Sequence, residues 1–364
     1  MDKLIKSKVF LSLVLAIFAN AEVKEYTLNK SVVSASGFAQ DLKDAPASIS
    51  VVTQEQLKNR PIKDIGEAVS LIPGISIDTN QGQNGAYPIS IRGMPAGYTL
   101  ILIDGKRQDV SGGAFPNGYS DWTFSGFLPP IAMIERIEVI RGPMSTLYGS
   151  DAIGGVINII TKKNLKEWGT SISLETTFEE QKQFGNIYSG NFYTSGPIDK
   201  AKKWSLSLRG REWYRAFVPA YNFKLAEDPT QYIAGKVSVE TNNYNLGGRL
   251  AFAPDEKNYL YLDVIYADQW LNNTNPAITS LSANKTIHAR RNNLIFAHLG
   301  SYTFGKTDTS IQYNATQMTG RPIDLKKDTT DRGLRGDDVI IDSKLVMGGG
   351  QAKSHSGDAI GLAV

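Results

Sequence analysis

The chain has 364 residues, 39 basic against 36 acidic, three histidines and no cysteine. That length holds two domains, and the near balance of charge argues against a nucleic-acid partner, which needs a strongly basic face. The absence of cysteine excludes disulfides, thiolate metal sites and thiol nucleophiles, and His288, His298 and His355 are too scattered to form a ligand set.

Lys3, Lys6 and Lys8 precede an apolar run, Val9 to Phe18, and the small-residue site Ala19-Asn20-Ala21, so residues 1–21 read as a signal peptide and the mature chain as starting at Glu22. The run is too short for a membrane span, which needs roughly 20 apolar residues. Residues 22–39 are polar, lack a helical stripe and contain Ser31-Val32-Val33-Ser34-Ala35, an extendable stretch that can add as a strand to a partner's sheet edge.

Residues 40–163 read as one small α+β domain. A strand over Ala45 to Thr53 runs into a helix that Thr53 caps in capping-box spacing with Gln56. A second helix, Ile62 to Ser70, puts Ile65, Ala68 and Val69 on one face and stops at Ile72-Pro73-Gly74. Short strands follow at Ile75 to Ile77 and Ile89 to Gly93, then a buried one at Leu100 to Lys106 that enters a turn. Ile134 to Arg141 alternates, Gly142-Pro143 stops it, and Gly154-Gly155 allows close backbone approach before the β-branched strand Val156 to Thr161. Two loops, Thr79 to Pro88 and Arg107 to Trp122, set aromatics among Gly, Asn and Ser and suit an adaptable binding surface. Asp78-Thr79-Asn80 lacks the further ligands of a calcium loop and reads as a turn, so no metal site is expected.

After Lys163 the pattern becomes strict alternation. Trp204, Leu206 and Leu208 oppose Ser205, Ser207, Arg209 and Arg211; Leu260, Leu262, Val264 and Tyr266 oppose Tyr259, Tyr261 and Asp263. About eight such strands, one per roughly 22 residues, fit between 169 and 347. Short connections at 196–200, 254–257 and 304–306 alternate with long ones near 214–240, 269–290 and 317–338. A membrane β-barrel with short turns on one side and long loops on the other predicts that segregation, whereas a soluble sandwich does not. The Gly-rich tail, residues 348–364, shows no strand pattern.

I-E-R-I-E-V-I-R-G-P followed by L-Y-G-S-D-A-I-G-G-V-I-N-I-I-T, together with P-A-S-I-S-V-V-T, I-S-I-R-G-M and L-I-L-I-D-G, resembles the plug domain of TonB-dependent outer-membrane siderophore receptors of the ferric enterobactin and colicin I receptor branch. The resemblance implies a fold class: an α+β plug domain followed by antiparallel transmembrane β-barrel strands, residues 164–347 supplying about eight of the 22 expected in such barrels. It also implies that the chain is truncated and that the tail is aberrant. Ser31 to Ala35 is then similar to the family's TonB box. The implied function is energy-coupled uptake of a ferric siderophore of the catecholate, ferric enterobactin type, with no covalent chemistry, since iron travels as the chelate and neither cofactor nor catalytic residue is needed. The implied partners are TonB, the ferric siderophore and outer-membrane lipid. An anionic catecholate would favour arginines and aromatics, which makes Tyr87, Arg107, Phe115, Tyr119, Trp122, Tyr214, Arg215, Arg321, Arg332 and Arg335 the expected ligand contacts. Phe115, Tyr119 and Trp122 suit packing against the barrel wall equally well. Arg92 and Arg141, each after a plug strand, are expected to lock plug to barrel through wall carboxylates lying beyond residue 364. Haem or cobalamin receptors and a non-transporting fragment remain alternatives; a secreted enzyme does not, because no H-E-x-x-H, G-x-S-x-G or G-x-x-x-x-G-K-[ST] occurs.

Overall fold

A computed structural model describes residues 31–32, 40–41, 48–60, 62, 64–77, 87–108, 127–144, 148, 152–163, 165–180, 185–217, 240–272, 286–319, 334–347, 352–356 and 360–363. Two short strands, β1 (Ser31–Val32) and β2 (Gln40–Asp41), pair antiparallel ahead of the first domain. That domain is built on a five-stranded sheet of β3 (Ser48–Thr53), β6 (Thr99–Ile103), β7 (Lys106–Arg107), β8 (Ile134–Arg141) and β9 (Gly155–Thr161) in the order β3-β8-β9-β6-β7. Only β6 and β9 run parallel. A hairpin of β4 (Ile75–Ile77) and β5 (Ile89–Ile91) stands beside it.

Thr53 starts helix α1 (Gln54–Lys58) through the expected capping box: its hydroxyl accepts from Gln56 N at 3.3 Å while Gln56 Oε1 accepts from Thr53 N at 2.9 Å. Helix α2 spans Ile65–Ser70, starting later than the apolar pattern suggested because the Asp64 carboxylate accepts from Glu67 N at 2.9 Å and fixes the N-cap there. Ile65, Ala68 and Val69 are buried as the spacing required. With Val52, Ile91, Ile137 and Ile157 they fill the core between sheet and helices, while Leu100, Leu102, Ile140 and Val156 make a smaller cluster on the other face. Each such side chain contributes roughly 1.5–3 kcal/mol on burial, enough to give this domain its own core.

The second sheet is a meander of β10 (Gly169–Thr177), β11 (Ile187–Pro197), β12 (Trp204–Arg215), β13 (Glu240–Phe252), β14 (Asn258–Asn272), β15 (Thr286–Tyr302), β16 (Gly305–Thr319) and β17 (Leu334–Met347), every neighbour antiparallel. These are the eight strands expected between 169 and 347. They run further than alternation alone indicated, so the long connections shrink to 216–239, 273–285 and 320–333, and the short ones are 198–203, 253–257 and 303–304. The tail differs from expectation: β18 (Ala352–Ser356) and β19 (Ile360–Ala363) both pair with β17. The side of β17 away from β16 presents unpaired backbone N–H and C=O groups, and a following segment can satisfy them whatever its side-chain pattern. Among the described residues β10 and the β17 edge do not pair with each other, so the meander is open.

Its two faces are inverted relative to a water-soluble sheet. Ser207, Arg209, Asn243, Asn245, Arg249, Asp263, Gln269, Arg291, Asn293 and Gln312 are buried on the face turned to the first domain, whereas Leu246, Leu262, Val264, Leu294, Phe296 and Ile311 are exposed on the other. A polar inner face and an apolar outer one is the arrangement of a barrel wall in lipid. Among the described residues no helix is long and apolar enough to cross a membrane.

Candidate functional site

The fully buried strand β6 ends in Asp104-Gly105, both at positive φ (51° and 77°), a turn that Asp and Gly accept more readily than bulkier residues. The side chain of Asn158 steadies it, accepting from Gly105 N at 3.0 Å. This turn delivers the Asp104 carboxylate to the wall. Thr161 donates to it from its backbone N at 2.9 Å and from its hydroxyl at 2.6 Å, and Arg249 Nη1 of β13 lies 2.8 Å from Oδ2. Arg249 also donates through Nε to Asp263 of β14 at 2.7 Å and through Nη1 to the Thr161 hydroxyl at 2.8 Å, and it lies over the Tyr261 ring at 4.4 Å. Arg209 of β12 completes the chain, its Nη2 2.5 Å from Asp263 Oδ1. Two strands of the wall, β13 and β14, and two of the first domain therefore meet on one guanidinium, and β12 joins them through Asp263.

The electrostatics follow from the geometry. Burial alone would raise the Asp104 carboxyl, but Lys163, Arg249 and the two Thr161 hydrogen bonds outweigh it and bring it down to about 2. Nearby, burial and the Lys58 charge hold the Lys162 ammonium down to about 8 against the pull of Glu135. Its Nζ donates to Ala132 O at 2.5 Å and sits 5.7 Å from the centre of the Tyr193 ring of β11.

A second set of contacts follows β7. Lys106 Nζ is 2.5 Å from Asp308 Oδ1 of β16, Gln312 Nε2 donates to Arg107 O at 2.7 Å, and Gln108 Oε1 accepts from Arg291 Nη2 and Asn293 Nδ2, each at 3.3 Å. Asn245 Nδ2 donates to Leu128 O at 3.3 Å. The first domain is thus clamped to the wall along its β6-β7-β9 side.

Sequence reasoning placed that lock elsewhere. Arg141 bonds within its own domain, to Pro73 O and Ser50 Oγ at 2.9 Å each. Arg92 is exposed, its φ is 54° and its backbone N–H donates to Gly74 O at 2.6 Å; among the described residues it makes no ion pair. At Asp104 the described lock has the opposite polarity, a carboxylate on the inner domain and guanidinium groups on the wall, whereas the Lys106–Asp308 pair keeps the expected polarity with a different cation. Its sequence signal was the Asp-Gly-Lys that follows an all-apolar strand, together with arginine and aspartate at inward positions of β12 to β14.

The expected ligand contacts also sort themselves. Tyr87 packs on the inner domain's core and its hydroxyl accepts from Gly66 N at 3.0 Å, so it caps α2 instead of facing a ligand; burial and then Asp64 push its phenol well above the usual range. Tyr214 lies on the outer face of β12, its ring stacked on Tyr188 at 6.5 Å and its hydroxyl donating to Glu240 at 3.0 Å, so it too is misplaced as a lumen contact. Arg215, the next residue, is buried on the inner face and lies 5.2 Å from the Trp213 ring. Arg107 is half-buried in β7 and Arg335 lies in β17. Phe115, Tyr119, Trp122, Arg321 and Arg332 fall outside the described residues, as do Val33, Ser34, Ala35 and the signal segment; Ser31 and Val32 form β1.

The outer face carries aromatics at both ends. Trp204 stacks on Phe252 at 4.4 Å and Tyr302 on Phe304 at 5.1 Å beside the short turns, while Tyr188, Tyr214, Tyr244 and Tyr266 lie toward the long loops. From Trp204 to Tyr214 the strand rises roughly 33 Å, which a tilt of about 40° reduces to the ~25 Å height of a barrel's apolar band.

Residues 41–156 match the TonB-dependent receptor plug domain family. The chain is 36% identical over 334 residues to the iron-regulated outer membrane virulence protein of Vibrio cholerae, covering 89% of this chain and 48% of that protein. It is 32% identical over 309 residues to the ferric enterobactin receptor PirA of Pseudomonas aeruginosa, covering 76% of this chain and 39% of that one. The crystal structure of the siderophore receptor PirA from Acinetobacter baumannii superposes with a TM-score of 0.66 at 26% identity, over 82% of this chain and 45% of that structure. The chain spans about half the length of the curated relatives it matches. The two PirA proteins are named as receptors, not enzymes. An inner α+β domain matched to the plug, clamped by polar contacts to an inside-out antiparallel wall, makes this chain a member of the TonB-dependent outer-membrane receptor family.

Proposed function

We propose that the chain serves the TonB-energised uptake of a ferric siderophore, of the catecholate type that ferric enterobactin represents. The observation that carries this reading is the plug clamped inside a lipid-facing wall, because a blocked pore needs an energy source to open. The relatives named for iron and for ferric enterobactin favour an iron chelate as cargo. No bond of the chelate is made or broken; the iron is cargo and the protein needs no cofactor of its own. The segment Ser31 to Ala35 is the proposed strand-adding site for TonB, and Arg107, Arg215, Arg321, Arg332, Arg335, Phe115, Tyr119 and Trp122 are the proposed contacts along the ligand's path.

The test is uptake of radiolabelled ferric enterobactin by receptor-deficient cells that carry this coding region within its full locus, with haemin and cobalamin as parallel arms. Enterobactin-dependent uptake that is lost on deleting residues 31–35 is the expected result. Uptake of haemin or cobalamin alone overturns the choice of cargo, and uptake that survives the deletion overturns the coupling to TonB.

A further inference from the structure

Charged groups on the lipid-facing side of β12 to β15 lie toward the long loops, Glu212 and Glu240 on β12 and β13 and an ion-paired cluster on β14 and β15. Toward the long loops, the outward positions of β14 and β15 hold Tyr266, Asp268, His288 and Arg290, and Tyr244 of β13 is in register with Asp268. Asp268 is the hub. Its Oδ2 accepts from Arg290 Nε at 3.0 Å and its Oδ1 lies 3.2 Å from His288 Nδ1, while the Tyr244 and Tyr266 rings pack beside it 6.0 Å apart. The Asp268 side chain is only 7% exposed, against 44% for Arg290 and 29% for His288. The negative charge is therefore covered by its partners and spent on orienting them. Among the described residues the two terminal NH2 groups of Arg290 carry no hydrogen bond, and the side chain is 44% exposed.

Height along the strand decides what can meet them. A charge facing hydrocarbon is costly at the bilayer midplane and much less so near the headgroups, and tyrosine prefers that same level. Below the cluster the outward positions turn apolar, with Val264, Leu294 and Phe296 exposed. The acyl chains that cover this belt end in headgroups at the height of Arg290. A planar guanidinium held at its Nε presents a two-pronged donor that matches two oxygens of a phosphate.

We propose that this outward cluster is a binding site for the phosphate of an outer-leaflet lipid, gripped by the terminal NH2 groups of Arg290, with Asp268 as a positioning residue and the acyl chains lying along the Val264–Leu294–Phe296 belt. The occupant follows from continuity: the site is the upper margin of a surface that lipid already covers. His288 stands beside the headgroup and adds a donor at Nε2 when it carries both protons.

The full chain, extracted from outer membranes and exchanged into phosphatidylcholine nanodiscs containing a few per cent phosphatidic acid, is examined by native mass spectrometry for retained lipid. The wild type is expected to keep one phosphatidic acid in preference to phosphatidylcholine, and Arg290→Gln to retain at least tenfold less. A second variant leaves the arginine in place: Gln317 is the register partner of Arg290 on β16 and is exposed, so Gln317→Glu sets a competing carboxylate beside the guanidinium. It should lower retention as much as Arg290→Gln while keeping the strand content seen by circular dichroism. Retention by folded Gln317→Glu equal to wild type overturns the proposal. So does displacement of the lipid by inorganic phosphate at equal concentration, which marks a site for free phosphate instead.

Discussion

Arg249 holds two carboxylates that belong to different domains, so removing it leaves buried Asp104 with only the more distant Lys163 and Asp263 with Arg209 alone. Breaking such a pair from one side costs about 3–5 kcal/mol, and Arg249→Met should lower the denaturation midpoint of the detergent-solubilised chain accordingly. Asp104 gives the pH dependence. Its carboxyl is lowered on folding, from an ordinary 3.8 to about 2, so the folded state binds its proton less readily than the unfolded state does. The stability this contributes, about 2 kcal/mol, is present in full above the unfolded value and is lost as the pH falls through about 2. Asp104→Asn should remove that part of the acid limb, which unfolding curves of the two proteins between pH 5 and pH 2 would compare. Tyr87 tests a different assignment. Because its hydroxyl accepts from Gly66 N, Tyr87→Phe should destabilise the plug by about 1 kcal/mol and leave chelate affinity unchanged. A loss of affinity at unchanged stability would return Tyr87 to the ligand site.

Among the elements, those with a local code were open to reading and those fixed by a partner were not. Thr53 and Gln56 announce α1 by chemistry confined to four residues, and the period of two along β12 to β14 sorts Leu262 from Asp263 without any knowledge of the neighbouring strands. The lock was not legible in this way. Asp104 meets Arg249 across a large separation in sequence, and Arg141, similar in context to a lock residue, finds Ser50 and Pro73 closer to hand. Tyr214 and Arg215 show how one residue of register decides a role, since a single step along β12 moves a side chain from the lipid side to the lumen. The sidedness can be measured. Val264→Arg, outward between Gly248 and Leu294, should cost roughly 2–4 kcal/mol in folding into bilayers, whereas Asn292→Arg, outward at the level of Tyr266, should cost about 0–1 kcal/mol. Equal costs would mean that the belt lies elsewhere.

For the whole molecule, the wall's inverted faces predict how it partitions. The chain should stay with the envelope pellet through an alkaline carbonate wash and leave it only in detergent; release by carbonate would be incompatible with an exposed apolar belt in lipid. The plug and wall also stabilise one another, because the inward polar side chains of β12 to β16 find partners on β6, β7 and β9. The same alternation has a consequence during export. Spread along the chain, the outward leucines and valines are diluted by their inward polar neighbours, and the mean hydropathy is only −0.23. A translocating machine that samples the polymer one segment at a time meets nothing greasy enough to release sideways into the inner membrane. The wall acquires its affinity for oil only when separate strands line up their alternate residues, so insertion has to wait until the sheet exists.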